Sequence, residues 1–514
     1  MKKLILVNRK DKIKSYSDEE KCHQAKGILH RAFAIFIFND KNQLLIQKRS
    51  KLKKLWPGYW ENSCSSHPFK GETYLKAGER RLKEELGFNY QLKFIDKFLY
   101  QASYKDIGSE NEICAVLMGK YNKEPKPDPK EIVDWKWINP KELKKEIAKN
   151  PQKYTPWVKI GLKKLMSLEK AEKKKQVSKL NALLNEYSKL IEPVIKKLLD
   201  FYVDEKNREI VKYQILTGGK RLRPALVIMA CQLLGGKIKD AFFPAAGLEI
   251  LHNYSLIIDD IIDNSNLRRE KPTCWFKFGR SIAQCIGTDY PAAAFQAANR
   301  SKEPIKISEL FARTMKTIVD GEILDILFEQ QGREDEFYVV KNRYQNITEK
   351  DYFEMVNKKT AALFQTCCEA GGICAGAKEK ELKVLRNYGF NLGIAFQITD
   401  DILDIFGEKG STTKKIGRDI RERKEGNIII HFALKKLSKR KKQRILRIMR
   451  KKEIKNKDIK EAVKLINQTR SRQKAYQFGQ KFVEKAKKNL NSLSKNKWND
   501  ILREIAGFAI EREK

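Results

Sequence analysis

At 514 residues, the chain is too long for one ordinary hydrophobic core, and its length predicts roughly two to four domains. Hydrophobic residues make up 41% of the sequence and aromatic residues 10%, which excludes a chain that is disordered throughout. The formal charge of +41 predicts either an anionic partner (nucleic acid, lipid head groups or phosphorylated substrates) or a solvated, lysine-rich surface.

Neither export nor membrane insertion is predicted. The N-terminus has only four consecutive apolar residues, Leu4–Val7, which is too short for a signal-peptide core. No run approaches the roughly 18 apolar residues that cross a bilayer. The nine cysteines include no CxxC pair, which argues against a zinc ribbon and against a disulfide framework. We therefore expect a soluble, cytoplasmic protein.

The first ~165 residues have the pattern of a mixed α/β domain. Arg31–Phe38 and Gln43–Arg49 are apolar runs of strand type, and the polar segment Asn39–Asn42 between them predicts a β-hairpin. Lys76–Leu86 has helical spacing, and Glu112–Gly119 is typical of a further strand.

Helical periodicity dominates from residue 176 to the end of the chain. We predict an α/β domain at 1–168, a charged linker or helix at 169–178 and an all-α domain at 179–514. The basic segment Lys435–Lys452 has apolar residues at helical spacing and no aromatic stacking pattern. It is interpreted as an amphipathic surface helix rather than as a nucleic-acid-binding arm.

Three of the five histidines, His23, His30 and His67, lie in one short part of the chain. Glu110 and Glu112 follow on a predicted strand, where alternation places both carboxylates on one face. Each histidine alone would more often be a structural or surface residue. Together, three imidazoles and two carboxylates suit an octahedral site for a divalent metal: manganese, magnesium or zinc.

The segment Ser66–Gly87 resembles the Nudix box, a loop and helix that hold magnesium against a diphosphate. The matching positions are Glu72, Arg80, Glu84, Glu85 and Gly87. In the hydrolases of that superfamily a Glu follows the Arg, whereas this chain has Arg81, and Ser66 stands at their opening Gly. A cation in place of a metal-binding carboxylate predicts diphosphate binding without cleavage.

A longer ordered set of residues resembles type 1 isopentenyl diphosphate isomerase over about the first 160 residues. The set comprises His23, LHRAF at 29–33, QKR with Lys53, WPGYWENSCSSHP at 56–68, GE at 71–72, RRLKEELG at 80–87, ENE at 110–112 and TPW at 155–157. The resemblance implies a Nudix-like α/β fold that converts isopentenyl diphosphate to dimethylallyl diphosphate through a tertiary carbocation.

The same resemblance implies roles for individual residues. One divalent metal (Mn²⁺, Zn²⁺ or Mg²⁺) would be held by His23, His30, His67, Glu110 and Glu112. Glu85 would bind the magnesium on the substrate, whose diphosphate would be held by Arg49, Lys53 and Arg81. Glu112 with Tyr100 would exchange protons on one side of the substrate. Trp157, with Trp60 as a second candidate, would stabilise the cation through an aromatic face.

One position departs from the isomerase pattern. The family has a catalytic cysteine two residues before the His of its CxHP segment, and this chain has Ser65 there, with Cys64 beside it. A thiol, with a pKa near 8.5, exchanges protons near neutrality, whereas a serine hydroxyl is a far weaker acid. Neighbouring residues of an extended segment point to opposite sides, so Cys64 is not a simple substitute. Two alternatives follow: an isomerase that works through Ser65 and a water, or a domain that binds without catalysis.

Two aspartate clusters dominate the second half of the sequence: Asp259, Asp260 and Asp263, then Asp400, Asp401 and Asp404. Both clusters lie in apolar helical sequence, where residues i and i+4 share one face. Burying such carboxylates costs several kcal/mol unless a counter-charge is present. Two such clusters predict a cavity with facing acidic walls that hold magnesium ions and, through them, a diphosphate.

An ordered set of cations accompanies these clusters, and the whole resembles the trans-isoprenyl diphosphate synthases, of farnesyl and geranylgeranyl type, over about residues 180–514. The resemblance implies an all-α helical bundle, with the six aspartates assigned to Mg²⁺. Isopentenyl diphosphate would be bound by Lys220, Arg223, His252 and Arg269. The allylic diphosphate would be bound by Arg268, Lys359, Thr360, Gln397, Lys415 and Lys424.

Product length depends on the residues one turn before Asp259, where a bulky side chain closes the path of the growing product. Tyr254 is bulky and Ser255 is small. This combination resembles the archaeal geranylgeranyl synthases and favours a twenty-carbon product, with fifteen carbons as the alternative.

The sequence therefore predicts a bifunctional enzyme that isomerises isopentenyl diphosphate and condenses the product with more isopentenyl diphosphate. Alternatively, only the synthase is active. A nucleic-acid-binding protein is disfavoured by the absence of stacking aromatics, and a terpene cyclase by the isopentenyl-binding cations. The synthase family also implies a homodimer or larger homo-oligomer.

Overall fold

A computed structural model describes residues 3–407 and 416–511. Lys415, assigned above to the allylic diphosphate, lies outside the described residues. The chain divides into two compact units, Met1–Lys175 and Gln176–Lys514. The charged segment at 169–178 is helical, within α4 (Pro156–Asp200).

Unit 1 is a nine-stranded sheet with helices on its faces. Its strands are β1 (Lys3–Val7), β2 (Ile13–Asp18), β3 (His30–Phe38), β4 (Leu44–Arg49), β5 (Trp60–Glu61), β6 (Cys64–Ser66), β7 (Lys93–Tyr104), β8 (Gly108–Lys120) and β9 (Ile132–Ile138). Its helices are α1 (Glu19–His23), α2 (Tyr74–Leu86), α3 (Pro140–Lys149) and the first part of α4.

The predicted hairpin forms its turn but not its ladder. β3 and β4 share only the pair Phe38 and Leu44 and then diverge. β3 pairs in parallel with β8 and antiparallel with β6, whereas β4 pairs with β9 and β5. The apolar strands are buried on both faces, so partners from distant sequence compete successfully with the local one.

Each face of the sheet has its own hydrophobic core. On one face, Ile35 and its neighbours pack against α2. That helix begins where the Thr73 hydroxyl accepts a hydrogen bond from the Lys76 backbone N–H, and it ends at Gly87, whose φ of 73° suits glycine. On the other face, Ala34 packs in the cluster that contains Trp157 of α4.

Within the part of unit 2 that the structure describes, the regular elements are helices apart from the two-stranded ribbon β10 (Leu267–Arg268) and β11 (Lys271–Pro272). After the second part of α4 come α5 (Arg208–Leu216), α6 (Leu222–Leu233), α7 (Phe242–Ile262), α8 (Cys274–Phe278), α9 (Arg280–Asn299), α10 (Pro304–Leu327), α11 (Phe337–Asn342), α12 (Glu349–Val356), α13 (Ala362–Cys374), α14 (Glu379–Phe406), α15 (Arg418–Arg421), α16 (Ile428–Lys436), α17 (Lys439–Met449), α18 (Asn456–Asn467), α19 (Ser471–Asn489) and α20 (Lys497–Glu511).

The helices of unit 2 share one continuous hydrophobic core. α7, which contains the first aspartate cluster, packs against α9. α14, which contains the second, packs against α13 and α19. The stretch Ile238–Ile262 has the length and apolar composition of a membrane span, but 61% of its most apolar window is buried inside the fold, as in a core helix. Within the basic segment, α17 buries Ile445, Ile448 and Met449, so the helix is amphipathic.

Candidate functional site

The three histidines and two glutamates of unit 1 converge at one end of the sheet. One ligand atom from each residue lies within 4.8 Å of all the others. His23 ends α1, His30 begins β3 opposite Glu112 of β8, and His67 follows β6. Glu110 lies two residues before Glu112, on the same face of β8.

The electrostatics of this cluster fit a divalent cation. Burial lowers the pKa of His23, but the adjacent Glu110 outweighs it and raises that pKa to about 9. Burial and the neighbouring histidines lower the pKa of His67 to about 3. His23 Nε2 lies 2.9 Å from Glu110 Oε2, and His30 Nε2 lies 3.6 Å from Glu112 Oε1, so ring nitrogens and carboxylate oxygens face one another in a buried cluster. A metal ion would take the place of the proton shared by His23 and Glu110, because neutral imidazoles and carboxylates are its usual ligands.

Replacing His67 with Ala is expected to lower the affinity of unit 1 for its metal by at least about tenfold, because one of five converging ligands is lost. The measurement is metal content by plasma mass spectrometry after dialysis against a graded chelator. His431→Gln, which alters a buried histidine of unit 2, is the control. Equal metal retention by the His67 variant and the wild type would contradict the assignment.

Ser65 and Cys64 point to opposite faces of the sheet. Ser65 pairs with Ala34, which shares a face with His30 and Glu112, whereas Cys64 pairs with Ile35 on the α2 face. The Ser65 hydroxyl donates to Asn62 Oδ1 at 3.0 Å. Burial raises the pKa of the Cys64 thiol well above its usual value, and Glu85 raises it further. The thiol is therefore not on the face where Ser65 stands.

An aromatic wall adjoins the metal cluster. Tyr100 donates its hydroxyl hydrogen to Glu112 Oε2 at 2.7 Å, and burial followed by the charge of Glu112 raises the pKa of Tyr100 well above its usual value. The Tyr100 and Trp157 rings are 6.4 Å apart, and the rings of Trp157 and Trp56 are 5.2 Å apart edge to face. Trp60 is partly buried against the same cluster. Such a wall presents aromatic faces, which can stabilise a cation.

The predicted diphosphate ligands of unit 1 lie in ion pairs with acidic residues. Arg81 contacts Glu85 and Glu131, and Lys53 contacts Glu131. Glu131 belongs to none of the sequence motifs. It lies at the end of the loop before β9, which brings it next to these cations. The last of the predicted cations, Arg49, is buried against Glu61.

The first aspartate cluster of unit 2 ends α7 and is paired with cations from distant parts of the chain. Lys359 Nζ lies 3.1 Å from Asp259 Oδ1, and Lys424 Nζ lies 2.9 Å from Asp263 Oδ2. Arg268 binds Asp260 through Nε at 2.8 Å and reaches Asp259 at 3.0 Å. These cations hold the pKa of Asp259 below its usual value despite burial, which alone would raise it.

The second cluster lies on α14 and is deeply buried in part. Burial and the nearby Asp419 raise the pKa of Asp401 to about 8 and raise that of Asp404 well above its usual value. Asp401 accepts hydrogen bonds from Tyr352, Gln397 and the Ile428 backbone N–H, which hold it inside the bundle. Asp400 and Asp404 are half-buried. Carboxylate oxygens are the donor set that magnesium prefers.

One polar chain joins the two clusters, and we call the region bounded by Asp259, Lys359 and Asp401 the shared cleft. Lys359 reaches Asp259, and its neighbour Thr360 donates to Gln397 Oε1 at 2.7 Å. Gln397 in turn donates to Asp401 Oδ1 at 2.9 Å. Asp259 and Asp401 are therefore linked through three intervening residues, so the clusters do not lie on separate surfaces.

A π-helical turn, Asn357–Ala361, presents Lys359 and Thr360 to this cleft. Gly321 of α10 lies against the turn, where a Cβ atom would overlap the Lys359 backbone nitrogen. The glycine thus permits the close approach that places Lys359 among the carboxylates.

Sequence reasoning missed two acidic residues at the cleft, Glu322 and Asp325. Lys359 Nζ lies 2.7 Å from both Glu322 Oε2 and Asp325 Oδ2 of α10. Asp419 accepts from Asn427 at 2.7 Å, and burial and Glu422 raise its pKa to about 6. Glu322 and Asp325 are three residues apart in an apolar helix, a pattern that also occurs in the two aspartate clusters. They lack the two adjacent aspartates that made those clusters recognisable in the sequence.

A second site in unit 2 is a cavity of about 160 Å³ that gathers cations. Lys220, Arg223, His252 and Arg269 line it, together with Phe396 and Phe508. Burial and the neighbouring arginines lower the pKa of His252 well below its usual value, and its Nε2 lies 3.0 Å from Arg223 Nη1. The cavity presents positive charge beside an apolar wall, a combination suited to an anionic ligand with an apolar part.

The two residues assigned to product length lie on α7. Tyr254 is partly buried against the hydrophobic core of unit 2. The Ser255 hydroxyl donates to the His252 carbonyl oxygen at 2.8 Å, so its side chain stays on the helix.

This arrangement of two acidic clusters and two cation sites in an all-α bundle defines a diphosphate enzyme of the isoprenoid class. The Polyprenyl synthetase family matches residues 204–466, and the NUDIX domain family matches residues 28–158. The chain belongs to the polyprenyl synthetase family over unit 2, and over unit 1 to the isopentenyl-diphosphate Delta-isomerases. Both resemblances predicted from the sequence, and the fold class, are confirmed.

Individual relatives support each assignment. Geranylgeranyl diphosphate synthase from Saccharolobus solfataricus is 35% identical over 318 residues, 60% of this chain and 91% of that protein. Isopentenyl-diphosphate Delta-isomerase 1 from Photorhabdus laumondii is 40% identical over 161 residues, 31% of this chain and 92% of that protein. The crystal structure of geranylgeranyl pyrophosphate synthetase from Pyrococcus horikoshii aligns with a TM-score of 0.59 and 31% identity, covering 65% of this chain and 99% of that one.

Proposed function

We propose that the chain is a bifunctional enzyme of isoprenoid biosynthesis. Unit 1 converts isopentenyl diphosphate to dimethylallyl diphosphate, and unit 2 condenses allylic diphosphates with isopentenyl diphosphate to geranylgeranyl diphosphate. The observation that carries the proposal is the shared cleft of unit 2, where Asp259 and Asp401 belong to one polar chain. Farnesyl diphosphate is the alternative product.

In unit 2, the carboxylates of Asp259, Asp263, Asp400 and Asp404 would hold Mg²⁺, which when bound neutralises the charge of the departing diphosphate. The second aspartates of the two motifs, Asp260 and Asp401, are not assigned to Mg²⁺. Arg268 binds Asp260, and Tyr352 donates a hydrogen bond to Asp401. Lys359, Thr360, Gln397 and Lys424 orient the allylic diphosphate, with Arg268 and Lys415 assigned there by resemblance. Lys220, Arg223, His252 and Arg269 hold isopentenyl diphosphate, so that its alkene faces the allylic carbon from which the diphosphate departs.

In unit 1, the divalent metal at the histidine and glutamate cluster would fix Glu112, which with Tyr100 exchanges a proton on one side of the substrate. Trp157 faces the developing tertiary cation. Lys53, Arg81 and Glu85 would bind the diphosphate and its Mg²⁺. Ser65 stands on the same sheet face as Glu112, so it would relay the second proton through a water.

A second candidate function keeps only the synthase active. It is favoured by one observation: Ser65 occupies the position of the catalytic thiol, and Cys64 faces away from it. Unit 1 would then bind metal and diphosphate as a regulatory partner.

One experiment separates the two functions. The full chain receives isopentenyl diphosphate and Mg²⁺ without an allylic primer, and its products are chromatographed after phosphatase treatment. Twenty-carbon prenol is the expected result, because unit 1 supplies the primer. Product that forms only after dimethylallyl diphosphate is added identifies an inactive unit 1. No product with both substrates overturns the synthase proposal.

The size of residue 254 is expected to control product length. Tyr254→Ala lengthens the main product by at least one five-carbon unit, because the aromatic ring that closes the path of the growing chain is removed. Ser255→Phe has the opposite effect, since it adds bulk one residue nearer to Asp259. Chromatography of the products measures both, and an unchanged product distribution in both variants would contradict this role.

The proposal extends to the state of the protein in the cell. All nine cysteines are free, and eight are buried, which suits a reducing cytoplasm.

We also propose at least a homodimer, as the synthase family implies. Size-exclusion chromatography with light scattering tests the oligomeric state.

A further inference from the structure

Arg49, expected to bind the substrate diphosphate, is turned into the protein. All three nitrogens of its guanidinium donate to protein acceptors. Nε donates to the Trp56 carbonyl oxygen at 3.2 Å, and Nη2 donates to the Leu55 carbonyl oxygen at 2.9 Å. Nη1 lies 3.1 Å from both carboxylate oxygens of Glu61. Only 8% of Arg49 is exposed, so little of it is available to a ligand.

Glu61 is the centre of this arrangement, and no motif assigned it a role. Its carboxylate is 2% exposed. Besides Arg49, it accepts a hydrogen bond from Trp157 Nε1 at 3.0 Å and one from Gln47 Nε2 at 2.9 Å. A buried carboxylate with these donors is fully satisfied and rigidly held.

The contacts of Glu61 reach two parts of the isomerase site. Its hydrogen bond to the indole fixes the plane of Trp157, whose ring also lies 5.4 Å from the Arg49 guanidinium carbon. Gln47 Nε2 donates to Glu85 Oε2 at 3.2 Å as well as to Glu61. One side chain therefore connects the aromatic wall to the residue assigned to the substrate magnesium.

We propose that Glu61 is a positioning residue of unit 1, which orients the Trp157 indole toward the substrate and, by pairing with Arg49, removes that arginine from diphosphate binding. The inference rests on the proposed isomerase function of unit 1. It reassigns Arg49 from a substrate ligand to the counter-ion of Glu61, and leaves Lys53 and Arg81 to hold the diphosphate.

The test removes both charges together, because Glu61→Leu alone would leave a buried, unpaired Arg49. In the double variant Arg49→Met/Glu61→Leu, Trp157 loses its acceptor while the packed volume is retained. Glu61→Gln keeps an oxygen that can accept from the indole. The exposed ion pair of Lys54 and Glu20, replaced by Met and Leu, is the matched control.

The first measurement does not depend on activity. The protein contains seven tryptophans, and their indole N–H signals are recorded by NMR, with Trp157→Phe identifying the signal of Trp157. In the double variant we expect this signal to shift and its hydrogen exchange to accelerate at least about tenfold. In the Glu61→Gln variant and the matched control the signal keeps its wild-type exchange rate within about threefold. An unchanged Trp157 signal in the double variant overturns the inference.

The second measurement is isomerase kinetics. We expect kcat of the double variant to fall roughly tenfold to a hundredfold, because the indole is misplaced, with KM within about threefold of the wild type. Glu61→Gln is expected to recover most of kcat. A tenfold or larger rise in KM with kcat unchanged would show that Arg49 binds the diphosphate, and would overturn the inference. If the wild type has no isomerase activity, the proposed function fails, and the NMR result alone decides whether Glu61 positions Trp157.

Discussion

Replacing Asp259 or Asp400 with Asn is expected to lower kcat for prenyl transfer about a thousandfold. Each substitution removes one negative charge from a wall of the shared cleft while keeping the side-chain volume. The cations that stabilise the departing diphosphate are then held less firmly, and this is the largest electrostatic requirement of the reaction. The measurement is steady-state turnover with dimethylallyl and isopentenyl diphosphates over a range of Mg²⁺ concentrations.

The matched control is Asp500→Asn, an exposed aspartate in the first turn of α20. It changes the net charge equally and should retain turnover within about twofold, since helix-end charges contribute only fractions of a kcal/mol at exposed sites. Circular dichroism before and after heating shows whether each variant remains folded. Turnover above a tenth of the wild-type value in both Asp259→Asn and Asp400→Asn would refute the assigned role of the cleft.

Restoring a thiol at position 65 is expected to raise isomerase kcat by about tenfold or more, because a group whose pKa is near 8.5 exchanges protons far more readily than a serine hydroxyl. Ser65→Cys places the thiol on the sheet face of His30 and Glu112, as the pairing of residue 65 with Ala34 requires. The rate of conversion of isopentenyl to dimethylallyl diphosphate, followed by acid lability of the allylic product, measures the effect.

Cys64→Ala is the companion variant and should leave kcat within about twofold, since that thiol lies on the opposite face and its pKa is raised by burial. Ser66→Cys adds a thiol one residue further along and should give no gain. An equal gain from Ser65→Cys and Ser66→Cys would show that position along the strand does not matter, contrary to the geometry described here.

Both families were predictable from the sequence alone, and so were several relations within each candidate site. Asp259 and Asp263, like Asp400 and Asp404, are four residues apart, so a helix places each pair on one face. Glu110 and Glu112 alternate on a strand and share a face for the same kind of reason. The opposite orientation of Ser65 and Cys64 is equally local. These are short-range periodic rules, which need no knowledge of the remainder of the chain.

Which side chains meet across the fold depends on long-range packing, which the sequence patterns do not reveal. Asp325 joins Lys359 from a different helix, and Glu61 engages Arg49 and Trp157, which lie far apart in the sequence. The predicted hairpin after β3 was wrong beyond its turn for the same reason. Burial energy is gained wherever complementary surfaces fit, so long-range pairing selects partners that no local pattern specifies. An arginine's charge is visible in the sequence, but whether it faces a ligand or a buried carboxylate is decided by packing.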